Sequence, residues 1–257
     1  MILTALDFVG TRTMNAIGRL GYIALFMVDT LRTVTSTRFK IKKMFYQAQH
    51  VGVNSFSVIF LTGTSVGCVL AYQSYIGLHR FGGEQFIGPV VFLSMVREFG
   101  PVLAAIMVTG RAGSAMTAEI GTMRITEQID ALQTLCINVH QYLIVPRIVA
   151  TTIILPFLAL FCSLCGIIGG YIISVYMLNV NPEMYMRSVR ENVELFDITS
   201  GLAKAAAFGF LLSWIASYKG FITTGGAKGV GIATTQSVVY ASVAIFIADY
   251  ILTALMF

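Results

Sequence analysis

The stretch IVATTIILPFLALFCSLCGIIGGYIISVYML, residues 148–178, decides the class of fold. Its 31 residues carry no charged side chain. As a helix it would reach about 46 Å, which exceeds the roughly 30 Å hydrocarbon core of a bilayer. The stretch therefore predicts a membrane-spanning helix that either tilts in the bilayer or bends at Pro156.

The composition of the whole chain agrees with a membrane location. Hydrophobic residues make up 56% of the 257 residues and charged residues only 11%, whereas soluble domains carry about 25% charged residues. At roughly 20 residues per span, this length allows five or six spans and leaves no room for an ordinary nucleotide-binding domain. We therefore expect an all-α, polytopic integral membrane protein with residues 1–257 in a single membrane domain.

Four further apolar stretches bring the predicted number of spanning helices to five. They cover residues 58–78, 86–109, 199–218 and 232–256. The N-terminal region, residues 1–50, is different, because its uncharged stretch from Leu20 to Val28 is too short to cross a bilayer. We expect an interfacial helix there, held against the cytoplasmic leaflet by the basic run from Arg38 to Lys43.

The distribution of basic residues predicts the orientation. Twelve lysines and arginines fall in segments that lie on the N-terminal side of the membrane, and only Arg80, Arg187 and Arg190 fall in segments on the other side. Basic residues concentrate in cytoplasmic loops. The N-terminus and residues 111–140 are therefore predicted to be cytoplasmic, and residues 179–197 and the C-terminus to lie on the opposite side of the membrane.

Sequence motifs of common enzymes are missing. The chain contains neither the phosphate-binding loop of ATPases nor a His-Glu-x-x-His zinc motif. Cys162 and Cys165 have the spacing of a metal or redox pair, but they lie in an apolar run without further ligands, which favours packing. We expect no enzyme activity, no metal and no cofactor in this chain, and the basic N-terminal block indicates lipid headgroups rather than nucleic acid.

Charged residues inside the predicted spans are the candidate functional residues. Arg97 and Glu98 lie about 15 Å into the second span, and Pro101 leaves the Arg97 carbonyl without its helical donor. Such residues either line a substrate path or form salt bridges between helices. Lys204 and Asp249 lie roughly 8 to 11 Å below the far surface, and we expect them to form an intramembrane pair that joins two helices.

Residues 119–132 predict an amphipathic cytoplasmic helix. Ile125, Ile129 and Leu132 form an apolar stripe, and the polar faces are supplied by Glu119, Arg124, Glu127 and Asp130. Two interpretations remain open for this helix. It either rests on the membrane surface or docks into a separate cytoplasmic subunit.

Residues 97–132, REFGPVLAAIMVTGRAGSAMTAEIGTMRITEQIDAL, resemble the signature of the MlaE (YrbE) permease family. Two later blocks, residues 220–239 with GGAKGVGIATT and residues 248–255 with ADYILTAL, are similar to that family as well. These permeases are the membrane subunits of ABC transporters associated with MCE proteins. The resemblance implies phospholipid transport between the inner and outer membranes of a Gram-negative bacterium, which maintains outer-membrane lipid asymmetry.

The resemblance also implies partners and residue roles. The partners are a second copy of the chain, a cytoplasmic ABC ATPase dimer that binds ATP, a small regulatory subunit and a periplasmic ring of MCE lipid-binding subunits. Arg97, Glu98 and Pro101 would lie near a lipid cavity between the two permease copies, where Arg97 would hold the headgroup phosphate. The ATPase-coupling residues would be Glu119, Gly121, Arg124, Thr126, Glu127, Asp130 and Leu132.

Two rival functions stay open on the residues themselves. An ion-coupled secondary carrier for lipids or other hydrophobic compounds would use Glu98 or Asp249 as its proton or sodium site, and it would transport without an ATPase. A membrane-embedded lipid enzyme would instead form a product from labelled phospholipid.

Overall fold

A computed structural model describes Met14, Gly18, residues 21–34 and residues 41–256, with the side chain of Ile41 left out. The other positions before residue 41, including Arg38 and Lys40, lie outside the described residues, and so does the C-terminal Phe257. The predicted interfacial location of residues 1–50 therefore stays a prediction, although residues 21–34 are helical.

Within the described ranges the chain folds into nine helices and contains no β-strand. In chain order they are α1 (21–34), α2 (Ile41–Gly52), α3 (Phe56–His79), α4 (Glu84–Ile125), α5 (Gln128–Thr134), α6 (His140–Met177), α7 (Pro182–Asn192), α8 (Leu195–Phe221) and α9 (Gly226–Met256). Five helical runs are long and apolar enough to cross a membrane, namely α4, α6, α8, α9 and the run Lys42–His79 that joins α2 to α3. The predicted all-α polytopic membrane fold is confirmed.

Helix α6 is the centre of the bundle and contacts α2, α3, α4 and α8. Its inward face carries Leu155, Leu158 and Cys162, which pack in the main core. Its outward face carries Phe157 and Ile168, which remain exposed. An apolar side chain gains nothing from an exposed position in water, so this outward face fits a lipid environment.

Helices α3 and α6 cross at two glycines. A Cβ atom on Gly67 would collide with the backbone carbonyl of Gly166. The absence of both side chains lets the two backbones approach closely, which is how small residues stabilise helix pairs in membranes. This crossing fixes α3 against the central helix.

The loops lie at two ends of the bundle. The end that holds α5 and residues 222–225 is called the α5 end, and the end that holds α7 and residues 80–83 is called the α7 end. Helix α4 runs between the two ends, so a movement of the helix at one end can be transmitted to the other.

The second span is much longer than predicted. We expected it to stop at Thr109, with a separate polar segment over residues 111–140, but α4 continues without a loop to Ile125. The continuation is stabilised by packing on α8 and α9, where Thr117 Oγ1 lies 3.0 Å from the Ala216 carbonyl and 2.7 Å from Ser237 Oγ. Polar residues therefore extend the helix because they find buried partners there.

The single amphipathic helix predicted over residues 119–132 is wrong. The helix breaks at Thr126 and Glu127, and Glu127 adopts a left-handed conformation with φ of 59°. Its backbone N–H bonds to the Arg124 carbonyl, and an ion pair between Arg124 and Asp130 spans the turn. Residues 119–125 therefore end α4, and α5 is a separate short helix.

Candidate functional site

A widened turn in α4 carries the first two candidate residues. Residues Met95–Phe99 form a π-helical turn, which is rare and recurs at functional sites. Ser163 of α6 donates a hydrogen bond of 3.0 Å to the Met95 carbonyl at the start of this turn. The turn places Arg97 and Glu98 against α8, where both form salt bridges between helices, one of the two alternatives that the sequence left open.

Lys204 of α8 is the hub of the site. Its side chain is fully buried, and its ammonium group lies 2.8 Å from both carboxylate oxygens of Glu98. It also donates a 3.2 Å hydrogen bond to the Arg97 carbonyl, the group that Pro101 leaves without a helical donor. The predicted consequence of Pro101 is thus visible, and a lysine from another helix replaces the lost N–H.

Helix α9 completes the coordination of Lys204. Asp249 Oδ1 lies 3.4 Å from the ammonium group, and Thr253 Oγ1 accepts a hydrogen bond of 2.7 Å from it. The structure brings Lys204 and Asp249 together as the sequence analysis expected. Glu98 and Thr253 are closer partners that the sequence analysis did not assign to this pair.

Arg97 binds an acid that was assigned to the wrong region. Its Nε donates a 2.7 Å hydrogen bond to Asp197 Oδ1, and Asp197 is only 1% exposed. Residues 179–197 were expected to form a periplasmic segment, but Asp197 belongs to the first turn of α8. The N-terminal capping box that Glu194 and Asp197 form starts α8 four residues before the predicted Thr199.

One glycine allows α8 to reach the widened turn. A Cβ atom on Gly201 would collide with the carbonyl oxygen of Val96, so the backbones of α8 and α4 touch at this point. The approach places Asp197 and Lys204, one on each side of Gly201 along α8, opposite Arg97 and Glu98. The charged groups can therefore meet although they come from separate helices.

The two polar spots expected from the sequence are one charge cluster, defined here as Arg97, Glu98, Asp197, Lys204 and Asp249. It contains two cations and three carboxylates. About a third of the side chains of Arg97 and Glu98 is exposed, and 22% of that of Asp249, whereas that of Lys204 is not exposed at all. The cluster is thus buried on one side and open on the other, where a polar group could reach it.

Five of the seven predicted coupling residues divide into two groups at the α5 end. Thr126, Glu127 and Asp130 are exposed on the turn and on α5. In contrast, Gly121 is buried against Thr223 of the α8–α9 loop, and Leu132 packs on an apolar cluster beneath α5. Of these five residues, the first three are the ones most open to another molecule.

The remaining two coupling candidates take part in ion pairs. Arg124 pairs with Asp130, and Glu119 pairs with Arg147 at 2.8 Å while more than half of its side chain stays exposed. Arg147, which is 4% exposed, was missed. Its position directly before a charge-free run of 31 residues is the sequence signal that marks it.

A further arginine at this end ties α4 to α2. Arg111 donates hydrogen bonds of 2.6 Å to the His50 carbonyl and of 3.0 Å to Ser55 Oγ. Because the last carbonyls of a helix lack partners within it, this contact satisfies the C-terminal end of α2. Sequence analysis placed Arg111 at the start of the polar cytoplasmic segment 111–140 and assigned it no contact.

Comparison with known proteins identifies the family. A family model described as Permease MlaE matches residues 44–255. A probable ABC transporter permease protein of Rickettsia typhi is 41% identical over 257 residues, which cover all of this chain and 99% of the relative. The intermembrane phospholipid transport system permease protein MlaE of Haemophilus influenzae is 34% identical over 258 residues and likewise covers all of this chain and 99% of the relative.

A plant relative extends the range of the similarity. The chloroplastic protein trigalactosyldiacylglycerol 1 of Arabidopsis thaliana is 39% identical over 211 residues, or 82% of this chain and 60% of the relative. The resemblance seen in residues 97–132 and in the two later blocks is thus confirmed over nearly the whole sequence. The chain belongs to the MlaE permease family.

Proposed function

We propose that this chain is the permease subunit of an ABC transporter that moves phospholipids between the inner and outer membranes of a Gram-negative bacterium and so maintains outer-membrane lipid asymmetry. A separate cytoplasmic ATPase dimer binds and hydrolyses ATP. The other partners are a second copy of the chain, a small regulatory subunit and a periplasmic ring of MCE subunits. Membership of the MlaE family and the similarity to the intermembrane phospholipid transport permease of Haemophilus influenzae support this proposal.

The observation that carries the proposal is the charge cluster within an apolar bundle. A phospholipid combines a charged headgroup with apolar chains, so its path needs a few polar groups on largely apolar walls. The partly exposed side of the cluster offers Arg97 and Glu98, and its buried side is neutralised by Lys204 and Asp197. Ionisable groups held at this depth are characteristic of transport pathways.

The surface at the α5 end supports the coupling role. Thr126, Glu127 and Asp130 are exposed beside the end of α4, and α4 continues to the charge cluster. A cytoplasmic ATPase that contacts this turn would act on the same helix that carries Arg97 and Glu98. The coupling function needs no chemistry in the permease itself.

The test separates a lipid-binding role of Arg97 from a structural one. Arg97→Gln alone leaves Asp197 buried without its partner, whereas Arg97→Gln combined with Asp197→Asn removes both charges. If Arg97 holds the headgroup phosphate, both variants lose bound phospholipid, by about tenfold for a lost charge-assisted bond. Quantitative mass spectrometry of lipid retained by the purified transporter complex measures this loss.

A different pattern would contradict the assignment. If only the single variant loses lipid and the double variant retains it, Arg97 serves to neutralise Asp197 and the headgroup contact is refuted. Thermal unfolding of both variants, recorded in the same detergent, shows whether each protein is folded when its lipid is counted.

An ion-coupled carrier is the second candidate function, and the charge count of the cluster favours it over a membrane-embedded lipid enzyme. Three carboxylates face two cations, so a proton or a sodium ion could bind at Glu98 or Asp249. Vesicles that contain the permease without any ATPase discriminate between the carrier and the ABC permease. Lipid transport driven by an ion gradient in these vesicles would support the carrier and overturn the ABC proposal.

A further inference from the structure

A basic pocket lies between α2 and the beginning of α6, at the α5 end and away from the charge cluster. Its volume is about 290 Å³. The residues that line it include Lys42, Lys43, Tyr46, Tyr142, Pro146 and Arg147. Arg147 directly precedes the charge-free run of residues 148–178, so this part of the pocket lies near the membrane surface.

Arg147 in the wall of the pocket has an unused donor. Its side chain is only 5% exposed, its Nη1 bonds to the Leu143 carbonyl, and its Nη2 bonds to Glu119, both at 2.8 Å. Its Nε is buried and has no hydrogen-bond partner among the described residues. Buried donors are nearly always paired, because an unpaired one costs about 1–3 kcal/mol. Arg147 thus brings a buried guanidinium group with one unused donor to the wall of the pocket.

The charge of the pocket indicates that its ligand is an anion. Lys42, Lys43 and Arg147 contribute three positive charges, and the Lys43 ammonium group lies 2.9 Å from the centre of the Tyr142 ring. In the part of the chain that the structure describes, Glu119 is the one carboxylate that forms an ion pair with any of these three residues. A net positive charge remains after that pair is counted.

An apolar groove continues from the pocket along the bundle. Its volume is about 760 Å³, and it shares Lys42 and Tyr46 with the pocket. Other residues along it are Phe45, Gly52, Phe56, Ile154, Phe157 and Phe161. Phe56 and Phe161 stack at 3.9 Å between ring centres. The groove runs from the charged end of α2 to the apolar middle of α6. The acyl chains of a bilayer lipid run in the same direction, away from the charged headgroup.

We propose that the pocket and the groove bind one anionic phospholipid from the leaflet at the α5 end. Lys42 and Lys43 hold its phosphate beside the buried guanidinium group of Arg147, and the groove holds its acyl chains. The net positive charge favours a headgroup with net negative charge over a zwitterionic one, since cations near an anionic lipid each strengthen binding. This lipid is a bound component of the permease and lies on different helices from the charge cluster.

The experiment uses the purified full-length chain in nanodiscs of phosphatidylcholine with and without phosphatidylglycerol. The test variant combines Lys42→Gln with Lys43→Gln. The matched control combines Lys219→Gln with Lys228→Gln, which removes two positive charges outside the pocket at the same end of the bundle. Native mass spectrometry counts the phosphatidylglycerol molecules that each protein retains.

We expect the test variant to lose its preference for phosphatidylglycerol by about tenfold, since two phosphate contacts are removed. The control should lose about twofold or less, because distant surface charges are screened by salt. Equal losses in the two variants would overturn the proposal, because the attraction would then come from the general surface charge rather than from a site.

A second comparison distinguishes a lipid from free phosphate. Ala48→Trp fills the groove and leaves the basic pocket intact. It should lower retention of phosphatidylglycerol, and added inorganic phosphate should not displace the lipid. If inorganic phosphate displaces phosphatidylglycerol fully and Ala48→Trp has no effect, the pocket binds the phosphate group alone and the lipid assignment is refuted.

Discussion

At the scale of single residues, Lys204 is the residue to which two of the three carboxylates of the charge cluster are bonded. One ammonium group contacts a carboxylate on α4, a carboxylate and a hydroxyl on α9, and a backbone carbonyl that a proline has left free. Transfer of an unpaired charge into an apolar environment is costly. The stability of the whole cluster should therefore depend on this lysine.

Replacement of Lys204 by methionine should lower the free energy of unfolding by about 3–5 kcal/mol, because it leaves Glu98 and Asp249 without a cation. Lys219→Met is the matched control, since Lys219 lies on the same helix but is only half-buried. Unfolding in detergent, followed by circular dichroism, measures both. Addition of Glu98→Gln and Asp249→Asn to Lys204→Met should restore part of the loss, and an unchanged stability of Lys204→Met would contradict the role assigned to it.

The distances of the charged residues from the ends of their spans predicted one contact of the charge cluster. Lys204 and Asp249 could be paired from their distances to the span ends alone. The contact between Lys204 and Glu98 could not, because it depends on the extra residue that the π-helical turn inserts in α4. Asp197 was missed because it lies at the boundary of an element, where a capping box moved the helix start.

At the scale of elements, close backbone contacts between helices hold the bundle together. Gly67→Val in α3 should destabilise the protein by about 1–3 kcal/mol or more, because the new side chain meets the Gly166 backbone and not a flexible group. Gly77→Val in the same helix is the control, as nothing lies within 4 Å of a Cβ atom there. Thermal unfolding of the two variants should differ clearly, and an equal effect would show that the α3–α6 crossing tolerates separation.

The turn between α4 and α5 is the element that should contact the ATPase. If the proposed coupling role is right, Glu127→Lys should reduce ATPase co-purification by about tenfold, because the reversed charge would oppose the surface that binds Glu127. Glu127→Gln keeps the shape and should have a smaller effect. Glu183→Lys, a reversal on α7 at the opposite end, should leave the complex intact. Normal assembly and normal ATP hydrolysis with Glu127→Lys would leave α5 as an ordinary surface element.

The sequence predicted which segments form spanning helices better than it predicted where those helices begin and end. All five predicted apolar stretches are helices, because long charge-free runs leave no other structure that satisfies the backbone in lipid. The ends were wrong where polar residues found partners inside the bundle. The charge of residues 111–140 predicted a polar segment separate from the second span, but Arg111, Thr117 and Arg124 all bond within the chain.

At the scale of the whole molecule, the predicted orientation can be tested with cysteine chemistry. Cys136 is exposed at the α5 end, and Glu183 is exposed at the α7 end. In a variant with Cys68 replaced by alanine, a membrane-impermeant maleimide should label Cys136 only after the cells are permeabilised. In Glu183→Cys, combined with Cys136→Ser, intact cells should be labelled from outside. The reverse pattern would invert the topology and move the proposed ATPase surface to the wrong side.

The whole-molecule arrangement was only partly predictable. Composition alone established a polytopic helical protein, because too few charged residues are present to cover it in water. Helix α6 lies at the centre, and α4 contacts both α8 and α9. These contacts depend on which helix faces carry small residues. Hydrophobic periodicity cannot identify those faces when every face of a helix is apolar.

The uninterrupted course of α4 has a mechanical consequence. Between Ile125 and Arg97 lie 28 residue steps of helical backbone, or about 42 Å at the α-helical rise, and this stretch includes the π-helical turn Thr109–Gly113. A push or a rotation imposed near Ile125 reaches Arg97 without crossing a flexible connection that would absorb it. The ion pairs of Arg97 and Glu98 with α8 would then stretch or reform in step with each stroke, so that electrostatic contacts deep in the bilayer report movements made at its edge.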